Sequence, residues 1–349
     1  MYLRNAWYVA AVDDELTTGE SAKPLARTIM DEPIVLWRRP NGLVAAIEDR
    51  CCHRHLPLSL GVLTGSHIRC GYHGLEFDAS GKVAVIPGQP HIPATARVKS
   101  YPVKEKWKFV WIWMGDPSKA DEDLIPGVFW ADHPQWKFTR QRVEHLKCDY
   151  RLIADNVLDA THLTYVHASS IGASAITDVE PVIEHSSDHV RVSRWMLDRP
   201  PPPAYAQAGG FTGNCDRLAA IEYRIPNFCV NFANCYDPGC GGPDGDVSKS
   251  EHRVELVAIS LPTPETTTSC HYFFAFARTF KFNDPATDEF FGPVMRKVFE
   301  EDFVILEAQQ ARMSAFPDAS QIELGVDIGP NLHRRILARR VKEEAGQSV

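Results

Sequence analysis

The chain has 349 residues, 44% of them hydrophobic and 23% charged, with a formal net charge of −8. At about 150 residues per domain this length implies about two domains, and the composition excludes disorder, collagen and coiled coil. No apolar run approaches the ~20 residues that cross a bilayer, and 45 acidic against 37 basic residues argue against nucleic-acid binding.

The apolar stretch Ala6–Val12 is short and runs into Asp13, Asp14 and Glu15, so it is no secretory signal and the chain is expected in the cytoplasm. Its nine cysteines are then free or metal-bound. Strand signals fill the first third. Ile34–Trp37, Leu43–Ile47 and Phe109–Trp113 are β-branched or aromatic runs, broken by turns such as Pro40-Asn41-Gly42 and Ala79-Ser80-Gly81. An all-β domain is expected over residues 1–135 and a mixed domain over residues 136–349. In the latter, Cys148–Val166 has helical periodicity. Val190–Met196, Ala219–Tyr223, Phe228–Ala233, Glu255–Leu261 and Ser269–Ala277 read as strands. A long helix is predicted over Pro285–Met313, with Asp284 as N-cap and Pro285 in its first turn. Arg199–Gly210 and Asp237–Gly245 read as long loops, a lid or an interface arm. Gly239–Gly245 opens no helix and contains a proline, which excludes a nucleotide-binding loop.

Two constellations carry chemistry. Cys51-Cys52-His53 and Cys70-Gly71-Tyr72-His73 each offer one thiolate and one imidazole. A zinc finger would group its cysteines apart from its histidines. One Cys and one His per loop suit a two-iron cluster with both cysteines on one iron and both histidines on the other, the ligation of a Rieske [2Fe–2S] centre. Cys52 is then a filler, since one Cys per loop completes the set.

The second constellation is Asn156, Asp159, His162 and His167. The first three recur at helical spacing. His167 lies about 140° further round an ideal helix, so both histidines reach one metal only if the helix ends or bends between them. Two histidines and a carboxylate form the facial triad of non-haem Fe(II) oxygenases. The carboxylate is sought in the long helix, where Val294, Val298, Asp302 and Ile305 share one apolar stripe. Asp302 there needs a metal or an arginine partner. Glu300, Glu301 and Glu307 are expected to point into solvent. Asp159 is either an orienting carboxylate for a ligand imidazole or a surface residue, and Asn156 either an amide bridge or an ordinary helix-face residue.

At these residues the sequence resembles the Rieske non-haem iron oxygenases over nearly its whole length. Within them it is closest to the aromatic O-demethylase and methyl-monooxygenase branch of vanillate O-demethylase, dicamba O-demethylase and toluenesulfonate methyl-monooxygenase. The stretches that carry the likeness are Arg4–Ala10, Cys51–Arg54, Cys70–Leu75, Asp155–His162, Tyr165–Gly172 and Thr263–Thr266. The resemblance implies an α+β chain: a Rieske β-domain, then a helix-grip catalytic domain with an antiparallel sheet around a long helix. It implies Cys51, His53, Cys70 and His73 as cluster ligands and His162, His167 and Asp302 as ligands of a mononuclear Fe(II). Asp159 would link the two centres, in a head-to-tail homotrimer that pairs one subunit's cluster with the next subunit's iron. Asn231 matches a pocket asparagine of the dicamba enzyme. Ser260 stands where that enzyme has a pocket histidine, which disfavours dicamba as substrate. Many relatives have proline in place of Cys52.

The implied activity is monooxygenation of the methoxy or methyl group of an aromatic acid by O₂. Electrons would come from a separate NAD(P)H-dependent flavin/iron–sulfur reductase, because no flavin or NAD fingerprint is present. The rivals are a ring-dihydroxylating dioxygenase and a Rieske electron carrier, the latter needing only the first domain.

Overall fold

The computed structural model describes residues 2–140, 143–168, 171 and 174–346. Ser169, Ser170 and Gly172 of the stretch Tyr165–Gly172 lie outside them. The chain divides into two compact units: Met1–Gly127 with Thr263–Thr267, and Val128–Pro262 with Thr268–Val349. The division falls before Val128 rather than at residue 135, and aromatic packing explains the difference. Trp130 lies edge-on to Trp136 and Phe232, at ring distances of 6.4 and 6.2 Å, and so belongs with the second unit.

The first unit contains β1 (Trp7–Val12), β2 (Leu25–Ile29), β3 (Glu32–Arg38), β4 (Val44–Glu48), β5 (Val62–Thr64), β6 (His67–Arg69), β7 (Glu76–Phe77), β8 (Val83–Val85), β9 (Val103–Lys106) and β10 (Phe109–Trp113). They form three antiparallel sheets in the orders β1-β10-β9, β2-β3-β4 and β5-β6-β7-β8. The apolar run in β3 is continuous because both of its faces are buried. Ile34 and Leu36 pack with Tyr8 and Ile112, whereas Val35 and Trp37 pack with Phe77, Cys51 and Cys70. The hairpin tip Thr263–Thr267 is part of this unit: Thr263 Oγ1 donates to Val9 O at 2.7 Å, and Met30 N donates to Pro264 O at 2.9 Å.

The second unit contains β11 (Lys137–Arg140), β12 (Glu144–Leu146), β13 (Val182–His185), β14 (His189–Arg199), β15 (Cys215–Arg224), β16 (Phe228–Tyr236), β17 (Arg253–Val254), β18 (Leu256–Thr266, whose end joins the first unit) and β19 (Ser269–Arg278). Its antiparallel sheet runs β11-β19-β18-β16-β15-β14-β13, with β12 also on β19 and β17 on β16. The helices are α1 (Tyr150–Leu158), α2 (Leu163–Val166), α3 (Pro203–Gly209), α4 (Pro285–Ala315) and α5 (Ile328–Glu344). Asp284 caps α4 by accepting from Ala286 N at 3.2 Å. α4 lies on the sheet through Phe299, which stacks on Phe274 at 4.5 Å and meets Phe276 at 5.4 Å.

Two expectations fail. Arg199–Gly210 is not all loop, because Pro203 starts the short helix α3 and Gly210, at φ +72°, ends it. The buried stripe of α4 runs through Met295, Val298, Phe299 and Leu306, while Ile305 is 48% exposed. Adjacent residues sit about 100° apart on a helix, so a one-position error turns the stripe off the core.

In α5, His333 is fully buried edge-on against Tyr223, 4.6 Å between rings. Burial, with Arg334 and Arg151 nearby, pushes its pKa down to about 3. The unfolded ring titrates near 6.5, so its contribution is complete above that value and is lost as pH falls toward about 3. His333→Leu is therefore expected to flatten the acid-side loss of stability by up to ~1.4 kcal/mol per pH unit below pH 6.5. Urea midpoints from pH 7 to pH 5 test this; parallel curves for both proteins would sink it.

Candidate metal centres

In the first unit, two loops share one backbone scheme. Cys51 N donates to Leu56 O at 2.9 Å and His55 N to Cys51 O at 3.0 Å; Cys70 N donates to Leu75 O at 2.8 Å and Gly74 N to Cys70 O at 3.1 Å. The residue four beyond each cysteine is left-handed, His55 at φ +59° and Gly74 at φ +75°. The scheme buries both thiols, each 2% exposed, and leaves His53 and His73 exposed with ring centroids 4.6 Å apart. Two buried thiols and two exposed imidazoles, from loops that face each other, fit the mixed ligand set of a Rieske cluster. Tyr72 covers the His73 ring at 3.9 Å. Cys52 is half-buried and packs on the Trp37 core, the place of a filler.

In the second unit, Asp159 makes the geometry. At φ −101° and ψ 89° it ends α1, and its carboxylate then accepts from Thr161 N at 2.9 Å and Thr161 Oγ1 at 2.6 Å to start a new turn. The helical stretch predicted over Cys148–Val166 is therefore broken. The two histidines flank the short α2 (Leu163–Val166), which ends at His167, φ −105° and ψ 23°, and their ring centroids lie 5.3 Å apart. His167 Nε2 lies 3.2 Å and His162 Nε2 3.6 Å from Asp302 Oδ1 on α4. The three ligand atoms lie within 4.8 Å of one another.

Hydrogen bonds on the far side of each ring fix the protons. His162 Nδ1 donates to Asp159 O at 2.5 Å and His167 Nδ1 to the Glu301 carboxylate at 2.8 Å. Each Nε2 is then the ring atom that faces Asp302. Two imidazole nitrogens and a carboxylate oxygen facing one point call for positive charge between them, a proton or a metal ion, and the donor set fits Fe(II). Asn156 Nδ2 donates to Asp302 Oδ1 at 3.1 Å and orients it. Burial pushes the 1%-exposed His167 ring down, but Asp302 and Glu301 prevail and hold its pKa above the ordinary value.

Glu301 corrects the sequence reading, which sent it to solvent. The signal was adjacency: the residue beside a buried carboxylate still reaches a ring on the neighbouring element. Asp159 is corrected in part, since its backbone carbonyl rather than its carboxylate meets His162. Glu307 is not free in solvent either, as its Oε1 accepts from Lys147 N at 2.9 Å. Asn231 and Ser260 line the same cavity as the three ligand-type residues, with Ile221, Val298 and Phe299 as apolar walls. Ser260 Oγ is hydrogen-bonded to Tyr272 Oη at 2.7 Å.

Residues 6–102 match the Rieske [2Fe–2S] domain and residues 146–343 the vanillate O-demethylase oxygenase C-terminal domain. The chain belongs to the Rieske non-haem iron oxygenases. This oxygenase is 37% identical to the iron–sulfur subunit of the toluene-4-sulfonate monooxygenase system of Comamonas testosteroni, over 99% of each chain. It is also 37% identical to a vanillate O-demethylase oxygenase subunit of Pseudomonas, over 99% of this chain and 96% of that one. Dicamba monooxygenase bound to 3,6-dichlorosalicylic acid has the same fold, with a TM-score of 0.89 at 32% identity over 99% of each chain. The oxygenase is thus a monooxygenase component with a Rieske cluster and a mononuclear iron, and no helix among its described residues is long and apolar enough to cross a membrane.

Glu301→Gln keeps the shape but removes the charge that holds the His167 N–H. It is expected to weaken iron retention at least ~10-fold while leaving the cluster spectrum intact. Iron per chain after dialysis measures this.

Proposed function

We propose that this oxygenase hydroxylates the methoxy or methyl carbon of an aromatic acid, using O₂ and electrons from a separate NAD(P)H-dependent flavin/iron–sulfur reductase. The observation that carries the reading is the convergence of His162, His167 and Asp302 on one point of a cavity walled by Phe299 and Val298 and dotted with Asn231 and Ser260. Two relatives are named for toluene-4-sulfonate and vanillate, both aromatic anions.

Cys51, His53, Cys70 and His73 are the proposed cluster ligands, and His162, His167 and Asp302 the proposed iron ligands. When bound, the cluster supplies single electrons and the ferrous ion activates O₂ beside the substrate. The protein's share is placement. Ile221, Val298 and Phe299 hold the ring and exclude water; Asn231 and Ser260 meet its polar groups. One oxygen atom enters a C–H bond, while two electrons and two protons reduce the other to water. A hydroxylated methoxy carbon is a hemiacetal and falls apart to a phenol and formaldehyde.

The partner arrangement is a head-to-tail ring of three chains in the cytoplasm, where nine cysteines persist without disulfides. In it Asp159 receives the exposed imidazole of the neighbouring subunit's cluster. Asp159→Asn keeps an acceptor for Thr161 N. The variant is expected to retain both metals, the oligomer and cluster reduction, and to lose most turnover. Near-normal turnover would remove Asp159 from the path.

The purified protein should carry about three irons to two acid-labile sulfides per chain. Aerobic turnover of a panel of methoxylated and methylated aromatic acids, with a reductase, is expected to release formaldehyde from at least one methoxy acid. Formaldehyde from none, or cis-diol products, would overturn the demethylase reading.

A further inference from the structure

A second cavity, of about 240 Å³, lies between β11, β19 and α4 in the second unit. Leu256 and Phe276 form its apolar walls, Lys137, Thr139 and Arg278 its polar side, and Gly292 its floor on α4. Arg278 is 3% exposed. Its Nη2 donates to Asp288 Oδ1 at 2.6 Å and to Lys281 O at 3.3 Å, while Nε has no hydrogen-bond partner among the described residues. Lys137 Nζ lies 3.4 Å from the other Asp288 oxygen. Two cations thus share one carboxylate, leaving a surplus positive charge at a half-exposed ion pair and an unused N–H on the buried Arg278. A buried cation of this kind favours an anion, and a planar guanidinium favours carboxylate or sulfonate.

This cavity and the iron-side cavity belong to one trough. Leu256 of the outer cavity and Ala258 and Ser260 of the inner one alternate on the same face of β18. On β19, Arg278 and Phe276 continue the face that carries Phe274 and Tyr272. On α4, Gly292 precedes Met295 and Phe299 at helical spacing, and both of these line the inner cavity. Phe276 against Phe299, 5.4 Å apart, is the partition between the two. Gly292 stands about 15 Å along the helix from Asp302, too far for Arg278 to touch the reacting carbon of a bound single-ring acid.

We propose that the outer cavity is a separate binding station for an aromatic carboxylate or sulfonate, which Lys137 and Arg278 hold before the ring passes Phe276 and Phe299. The station rests on the aromatic-acid reading for its ligand class. A Cβ at Gly292 meets nothing within 4 Å, so a longer side chain there grows into the cavity.

The test uses the anaerobic holoenzyme and benzoate. Calorimetric titration should count two benzoate sites per chain, falling to one in Lys137→Gln and in Gly292→Leu. In turnover, Lys137→Gln should lower kcat/KM for a methoxybenzoate about tenfold, the worth of ~1.4 kcal/mol, with kcat unchanged. The matching methoxybenzamide should show no such loss. One benzoate site in the wild type, or two in both variants, would overturn the station. Two sites without any acid turned over would sustain it and sink the demethylase reading alone.

Discussion

Two imidazole nitrogens and a carboxylate oxygen aimed at one point need positive charge between them. That constraint organises the catalytic unit. Each histidine spends its Nδ1 proton elsewhere, His162 on the Asp159 carbonyl and His167 on Glu301, so that both Nε2 atoms face Asp302. The break at Asp159 separates the histidine-bearing turn from α1, and the short α2 ends at His167. An unbroken helix would carry His167 to another face, and the triad would not close. The long helix α4 serves it too, since Asp302 and Glu301 hold opposite sides of the same ring.

The cluster site obeys a different constraint. A thiolate cage needs shielding, yet electrons must enter and leave. The paired loops meet both needs with one backbone scheme used twice, which sinks each cysteine and raises each histidine. His55 adopts at its position the left-handed conformation that Gly74 adopts at the other, a conformation that only a few side chains tolerate well.

Donor identity was legible in the sequence because metal chemistry restricts residue type and spacing within a loop. Cys51, His53, Cys70, His73, His162 and His167 could be singled out on that basis, and Asp302 from a carboxylate in an apolar stripe. The elements that carry them were legible from apolar runs and from the Asp284–Pro285 helix start. What stayed hidden depends on contacts between distant segments. Glu301 faces inward only because His167 is there to meet it. Ile305 and Leu306 are both apolar, and packing alone decides which of them is buried. Arg278, Lys137 and Asp288 converge through a strand pairing and a helix placement that no local pattern encodes. Even the unit boundary followed Trp130, whose partner Phe232 is about a hundred residues away.

The hairpin tip Thr263–Thr267 bears on how this chain can be divided. It folds as part of the cluster unit although the sequence around it builds the catalytic sheet. A fragment ending at Gly127 would leave the Val9 carbonyl and the Met30 and Asp31 amides without their hydrogen-bond partners at Thr263, Pro264 and Glu265. Each lost hydrogen bond costs about 1 kcal/mol net even where water replaces the partner. The cluster unit is therefore not a module to be excised by cutting a linker. A graft that moves it to another scaffold must bring Thr263–Thr267 as well, from the middle of the catalytic unit's sequence.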